Sequence, residues 1–523
     1  MTKIFNSYLL TIIIFSSLLS GCVHQTAMTD SKLTALWRGE PLTEETIAAA
    51  KQEWPNDATL LDMQQGTNLL RHDKLTTSVA ALAENYLENA YAKFEDLRDP
   101  ENFSKAFTPD NQTPYRGRPF ERMLTAMLIA LLDTSKDRCD MALPALKAAE
   151  FLDARWQPFM FGSDAPMVYA LMLRCFIETK NTSQDFERAK SGLTLALRMQ
   201  LLLEPFFQKI NEYARHAAHD PAIQIALALL EVGLPSSLLS APAHANTEEI
   251  VRIASAEAIA FLPRVLSQDE APYDEIIRPL LKKIDPKSSD KATTANAIFQ
   301  IEVALKAVWK EILAQDQFQQ QVVKRLDHVH DLTKQIESAA RKPVMAVYFD
   351  GTGPRIKQEG QYNEIAHIIP SSPQNALADV PVKNIHINTS CGVSNYRNNL
   401  IFTLCSPGVH SSSIEYDTAV KLWSSSFQAT TTAGRKFDRI LKGRAQFRMG
   451  TEVAAIIGGY TALALLDTSS GLRGQEAQQM QAAALVIGAI AGAAWIAGRA
   501  SNPEADIRQV NFNFESGYLL LAN

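Results

Sequence analysis

From Asp57 to about Ala340, apolar residues recur at three- and four-residue spacing, and Pro and Gly fall mostly between the periodic stretches. A helix with an apolar stripe must bury it against another element, so this pattern commits the larger part of a 523-residue chain to packed helices. The stretches come in pairs. Asp57 to His72 is followed, across His72-Asp73-Lys74, by Thr76 to Leu97. Phe120 to Leu132 precedes Cys139 to Ala154, Ala165 to Thr179 precedes Asp185 to Met199, and Leu201 to His219 precedes Pro221 to Val232. Each pair reads as a helical hairpin whose remaining apolar face is covered by its neighbours.

The texture changes after Lys342. Pro343 leads into Val344-Met345-Ala346-Val347-Tyr348-Phe349, a β-branched and aromatic run closed by the turn residues Asp350-Gly351-Thr352-Gly353-Pro354. Further strands are expected at Ile365 to Ile369, Val382 to Ile387, Leu400 to Leu404, Val510 to Phe514 and Tyr518 to Leu521, with a helical segment from about Ile414 to Ala500 between them. The expected fold is mainly α: a stacked helical-hairpin array over 57–342, then a smaller α+β domain over 343–523. A fragment ending near Arg341 is expected to fold alone.

The first 22 residues have another character. Lys3 precedes an uncharged run, Ile4 to Leu19, and the segment ends in Leu19-Ser20-Gly21-Cys22. That is the layout of a secretory signal peptide, here residues 1–21. The run is shorter than the roughly 20 residues that span a bilayer. Its last four residues resemble the lipobox of bacterial lipoproteins, which implies lipid attachment at Cys22 and cleavage before it. The resemblance, with Val23 and not Asp after the cysteine, implies a destination in the outer membrane, with the body facing the periplasm. Residues 22–56 are read as a tether, Val23 to Ser31, and a first helix.

The paired helices, with Ala130, Ala142 and Ala149 where two backbones must approach, resemble the tetratricopeptide repeat. Taken with Tyr115-Arg116-Gly117-Arg118-Pro119-Phe120-Glu121-Arg122, Gly353-Pro354, Lys357 and Ala505-Asp506-Ile507-Arg508, the chain resembles an uncharacterised family of bacterial lipoproteins with tetratricopeptide-like fronts. That resemblance implies location and architecture, and assigns no activity. The expected role is a protein-interaction scaffold, with a protein or peptide partner on the helical array and the membrane held through the N-terminal lipid.

The net charge of −6 is spread along the chain and gives no electrostatic footprint for nucleic acid. Besides Cys22 there are Cys139, Cys175, Cys391 and Cys405. In an oxidising compartment Cys391 and Cys405, close in sequence within a strand-like region, are the expected disulfide. Cys139 and Cys175 fall in helical patterns and read as buried thiols.

Phe349-Asp350-Gly351-Thr352-Gly353 resembles the opening turn of a group of phospholipases, which implies an alternative function as an envelope hydrolase using the Asp350 turn. Such an enzyme needs a serine on a Gly-x-Ser-x-Gly elbow, and Gly392-Val393-Ser394-Asn395-Tyr396 lacks the second glycine. No catalytic residue is therefore assigned, and Asp350 is expected to be a structural turn. The pairs His216 and His219, and His328 and His330, fall short of the three or four ligands a metal site requires, so no metal or cofactor is expected. The charge-free runs Val453 to Leu466 and Ala482 to Gly498 form a Gly/Ala-rich hairpin within about 450–500. Gly458, Gly459, Gly488 and Gly492 mark its expected helix contact. At about 21 and 26 Å the runs are shorter than a roughly 30 Å hydrocarbon core, leaving a packed hairpin or shallow membrane contact as readings.

Overall fold

The computed structural model describes residues 27–72, 75–94, 114–115, 117, 119–156, 165–197, 220, 222–223, 226, 299–307, 316–351, 355–359, 365–369, 380–396, 399–409, 411–424, 484, 487, 510, 514 and 516–521. The fold is mostly helical, with an antiparallel sheet in its second half.

Short 3-10 turns at Ala27–Thr29 and Ser31–Leu33 lead to the helical turn Thr34–Trp37 and helix α1, Glu44–Glu53. Thr43 caps α1 by accepting the Thr46 N–H, and Glu44 and Glu45 place negative charge in its first turn, where the helix dipole favours it. Of the stretch expected to be a tether, the part from Ala27 onward is docked. Ala27 is fully buried, its N–H donates to Asp57 Oδ2 at 2.8 Å, and the Trp37 indole donates to its carbonyl at 3.0 Å.

Among the described residues there follow α2 (Ala58–Arg71), α3 (Thr77–Ala92), α4 (Pro119–Ser135), α5 (Cys139–Trp156), α6 (Pro166–Glu178) and α7 (183–197). Consecutive partners α2 and α3, and α4 and α5, pack side by side. Residues 299–307 are helical, and α8, Asp316–Arg341, ends at the change of texture read from the sequence. Helix α2 is buried on every side, so its polar residues must find partners inside. Gln65 exchanges hydrogen bonds with both backbone groups of Leu42, at 3.0 and 2.7 Å. Asn68 donates to the Leu36 carbonyl at 2.7 Å, and Asp62 sits between Lys51 and Lys93.

The strands are β1 (Val344–Asp350), β2 (Arg355–Glu359), β3 (Ile365–Ile369), β4 (Val380–Ser390), β5 (Gly392–Tyr396), β6 (Asn399–Cys405), β7 (Ser411–Ser424) and β8 (Ser516–Leu521). Among the described residues, six form one antiparallel sheet in the order β4-β7-β8-β1-β6-β5, and β2 pairs with β3 separately. The helical segment expected from Ile414 is corrected at its start, because Ser411–Ser424 is a strand. Ile414, Tyr416, Thr418, Val420 and Leu422 alternate at period two, the pattern of a pleated strand. Val510 and Phe514, expected in a strand, lie outside any strand.

Met345, Val347, Phe349, Leu400, Phe402, Leu404 and Leu519 belong to the same buried cluster as the apolar faces of α2, α4, α6 and α8. Those four helices pack directly on the sheet. The expectation that the helical part is separable therefore does not hold in the packing: the secondary structure changes between Arg341 and Val344, but the core runs across the change.

Arg174 secures that joint. It is 1% exposed, forms an ion pair with Glu178 at 2.6 Å, and donates to the carbonyls of Ala340, Lys342, Pro343 and Leu404 and to the Ser406 hydroxyl. The guanidinium thus caps the end of α8 while gripping the start of β1 and the end of β6. Removing one partner of such a buried, charge-assisted network costs about 3–5 kcal/mol.

Candidate functional site

The Asp350 turn is where an enzyme reading would place its chemistry, and pairing among β1, β8 and β7 decides what surrounds it. On β1, Met345, Val347 and Phe349 face the helices, so Ala346, Tyr348 and Asp350 face the opposite way. Register then puts Tyr518 opposite Tyr348 and Ser516 opposite Asp350 on β8, and Lys421 of β7 opposite Tyr518. Asn399 donates to the Tyr348 hydroxyl at 2.6 Å, and the Tyr348 and Tyr518 rings lie 6.0 Å apart.

This second sheet face is only partly covered, with Tyr348, Asp350 and Tyr518 half-buried. Ser516 and Lys421 are buried, and Ile401, Ala419, Leu520 and Tyr416 form a small apolar cluster beside them. Burial pushes the Asp350 carboxyl above its ordinary range, and the Lys421 ammonium pulls it back only in part. Burial likewise pushes the Tyr416 phenol up to about 12, and its hydroxyl has no hydrogen-bond partner among the described residues.

A carboxyl biased toward its proton, an ammonium and a hydroxyl thus share one face. Nucleophilic catalysis by Ser516 would need a base about 2.6–3.2 Å from its hydroxyl. Among the described residues no hydrogen bond links Ser516 to Asp350 or Lys421. Gly392-Val393-Ser394-Asn395-Tyr396 is strand β5, and Asn395 donates to the carbonyls of Leu70 and His72 at 3.2 and 2.6 Å, closing the end of α2.

Cys391 and Cys405 are joined as a disulfide, with Cα atoms 5.7 Å apart, across the open end of the β5–β6 hairpin. Cys139 and Cys175 are free and buried. Cys22, Gly458, Gly459, Gly488 and Gly492 lie outside the described residues, as do His216 and His219. Among the described residues no three His, Cys, Asp or Glu side chains group as metal ligands, and no helix is long and apolar enough to cross a membrane.

Sequence reasoning found Asp350 through its turn signal but missed Ser516, Lys421 and Tyr518. Strand register alone brings those three to it, and no local pattern announces that register. Comparison with known proteins finds no matching family model, no matching curated protein and no matching solved structure.

Proposed function

We propose that the chain is a bacterial envelope lipoprotein, held to the outer membrane through a lipid on Cys22, whose helical body serves as a protein-interaction scaffold. The observation that carries this reading is the Leu19-Ser20-Gly21-Cys22 ending after a short apolar run. The consecutive helical pairs support its second half. Read as a tetratricopeptide-like array, they would offer grooves between helices to a protein or peptide.

The docking of Ala27 sharpens the picture of the anchor. Only Val23 to Thr26 separate Cys22 from the folded body, a reach of at most about 18 Å. A body on so short a leash works at the membrane surface, where confinement raises the effective concentration of any neighbouring partner.

Replacement of the acylated thiol tests the anchor. Cys22→Ser should leave the precursor unprocessed, or the protein released from the outer-membrane fraction. Processing and fractionation identical to wild type would overturn the reading. A photo-crosslinker at Met141, 58% exposed on α5, tests the scaffold in intact envelopes. A discrete protein adduct that recurs across preparations is expected, and its absence counts against a partner on that face.

A further inference from the structure

Among the described residues, two cysteines lie outside the disulfide, and they meet where α4, α5 and α6 converge. Cys139 opens α5 and Cys175 lies in the last turn of α6. The Cys139 thiol donates to Glu178 Oε2 at 3.1 Å, and Glu178, three residues beyond Cys175, shares its face of α6. The Thr134 hydroxyl, at the end of α4, lies 3.6 Å from Cys175 Sγ. These contacts bring both thiols into one small pocket of side chains, 4% and 0% exposed.

We propose that Cys139 and Cys175 are a disulfide-forming pair, a dithiol that a small or protein disulfide oxidant converts into a staple between the start of α5 and the end of α6. This assignment stands apart from the lipid-anchor reading and does not depend on it.

The step is a thiol–disulfide exchange. One cysteine, as thiolate, attacks a sulfur of the oxidant's disulfide. A mixed disulfide forms and one oxidant thiolate leaves. The second cysteine then attacks the protein sulfur of the mixed disulfide, forming the Cys139–Cys175 bond and releasing the second oxidant thiolate. The pair loses two electrons and two protons, and the oxidant ends as two thiols.

The neighbouring Cys175 thiol, burial and the Glu178 carboxylate all push the Cys139 thiol well above its ordinary pKa. Little thiolate exists once the pocket is closed, so exchange belongs to the period when the α5–α6 corner is still forming. Once the bond forms, Glu178 loses the Cys139 donor and keeps Arg174, so the sulfur chemistry sits one carboxylate away from the helix–sheet joint.

Full-length protein, reduced in denaturant and refolded with oxidised and reduced glutathione, tests the pair. Acid-quenched protein as isolated from cells is mapped in parallel. After denaturation and alkylation, mass spectrometry should find the Cys139 and Cys175 peptides linked in at least one of the two samples, beside Cys391–Cys405. The linked form should melt several degrees above the form carrying both thiols. In Cys139→Ser the linked peptide and the gain in melting temperature should both be lost. Alkylation of both cysteines in both samples, or their pairing with Cys391 or Cys405, overturns the proposal, and because the wild-type maps decide it, poor folding of the variant does not.

Discussion

At Asp350, burial opposes the charge more strongly than Lys421 supports it, so the folded protein holds this proton more tightly than the unfolded chain does. Its contribution to stability is complete below the ordinary carboxylate range and is lost as pH rises through the folded value. Asp350→Asn keeps the shape of the side chain and removes the titration. The variant should melt at pH 7 no lower than wild type and show a weaker loss of stability between acid and neutral pH. A drop of several degrees at pH 7 would show that attraction to Lys421 outweighs burial. Arg174 is the contrasting case, a buried charge whose acceptors come from α8, from Pro343 just before β1 and from β6. In the sequence only Glu178, four residues on, accompanies Arg174, and the carbonyls that it grips lie far along the chain.

Among the elements, β8 has little room at Gly517. A Cβ on Gly517 would stand 2.7 Å from Phe349 Cε1 and 2.9 Å from Trp423 Cβ. The Phe349 ring is itself hemmed in, with Phe402 at 6.1 Å and Phe514 at 5.5 Å between ring centres. Gly517→Ala should therefore cost about 1–3 kcal/mol through overpacking, read as a lower midpoint in denaturant at unchanged slope. A neutral or stabilising result would mean that the aromatic cluster can shift.

Element identity was largely legible in the helices and in several of the strands. Helix α5, expected from Cys139 to Ala154, runs to Trp156, and β3 occupies the expected Ile365–Ile369. Reading failed at β7. In β7 the neighbours Ala419, Val420, Lys421, Leu422 and Trp423 are all enclosed, which blurs the alternation begun at Ile414. Ser516 and Tyr518 come from β8, read as a strand from Tyr518 onward, and Lys421 comes from β7, read as helix, so the site was legible only in part.

For the molecule as a whole, the shared core predicts that residues 31–341 do not make an independent unit. That fragment would expose the faces of α2, α4, α6 and α8 that pack on the sheet and would leave Arg174 without its acceptors on Lys342, Pro343, Leu404 and Ser406. It should aggregate or melt without cooperativity, while the full chain melts in one transition. A soluble fragment with a sharp melt by circular dichroism would restore a division at 342.

The place of β8 in the sheet also governs the order in which this protein can be finished. It lies between β7 and β1, so without it the sheet exists only as two pieces, β4-β7 and β1-β6-β5. A chain emerging from its N-terminus first must produce every residue between Ser424 and Ser516 before the two pieces can be joined. Throughout that interval β1 and β7 each present an open row of backbone donors and acceptors. Joining them is a contact of high sequence separation and hence slow. The nascent protein thus passes through a stage in which a strand from another molecule can occupy the slot reserved for residues 516–521.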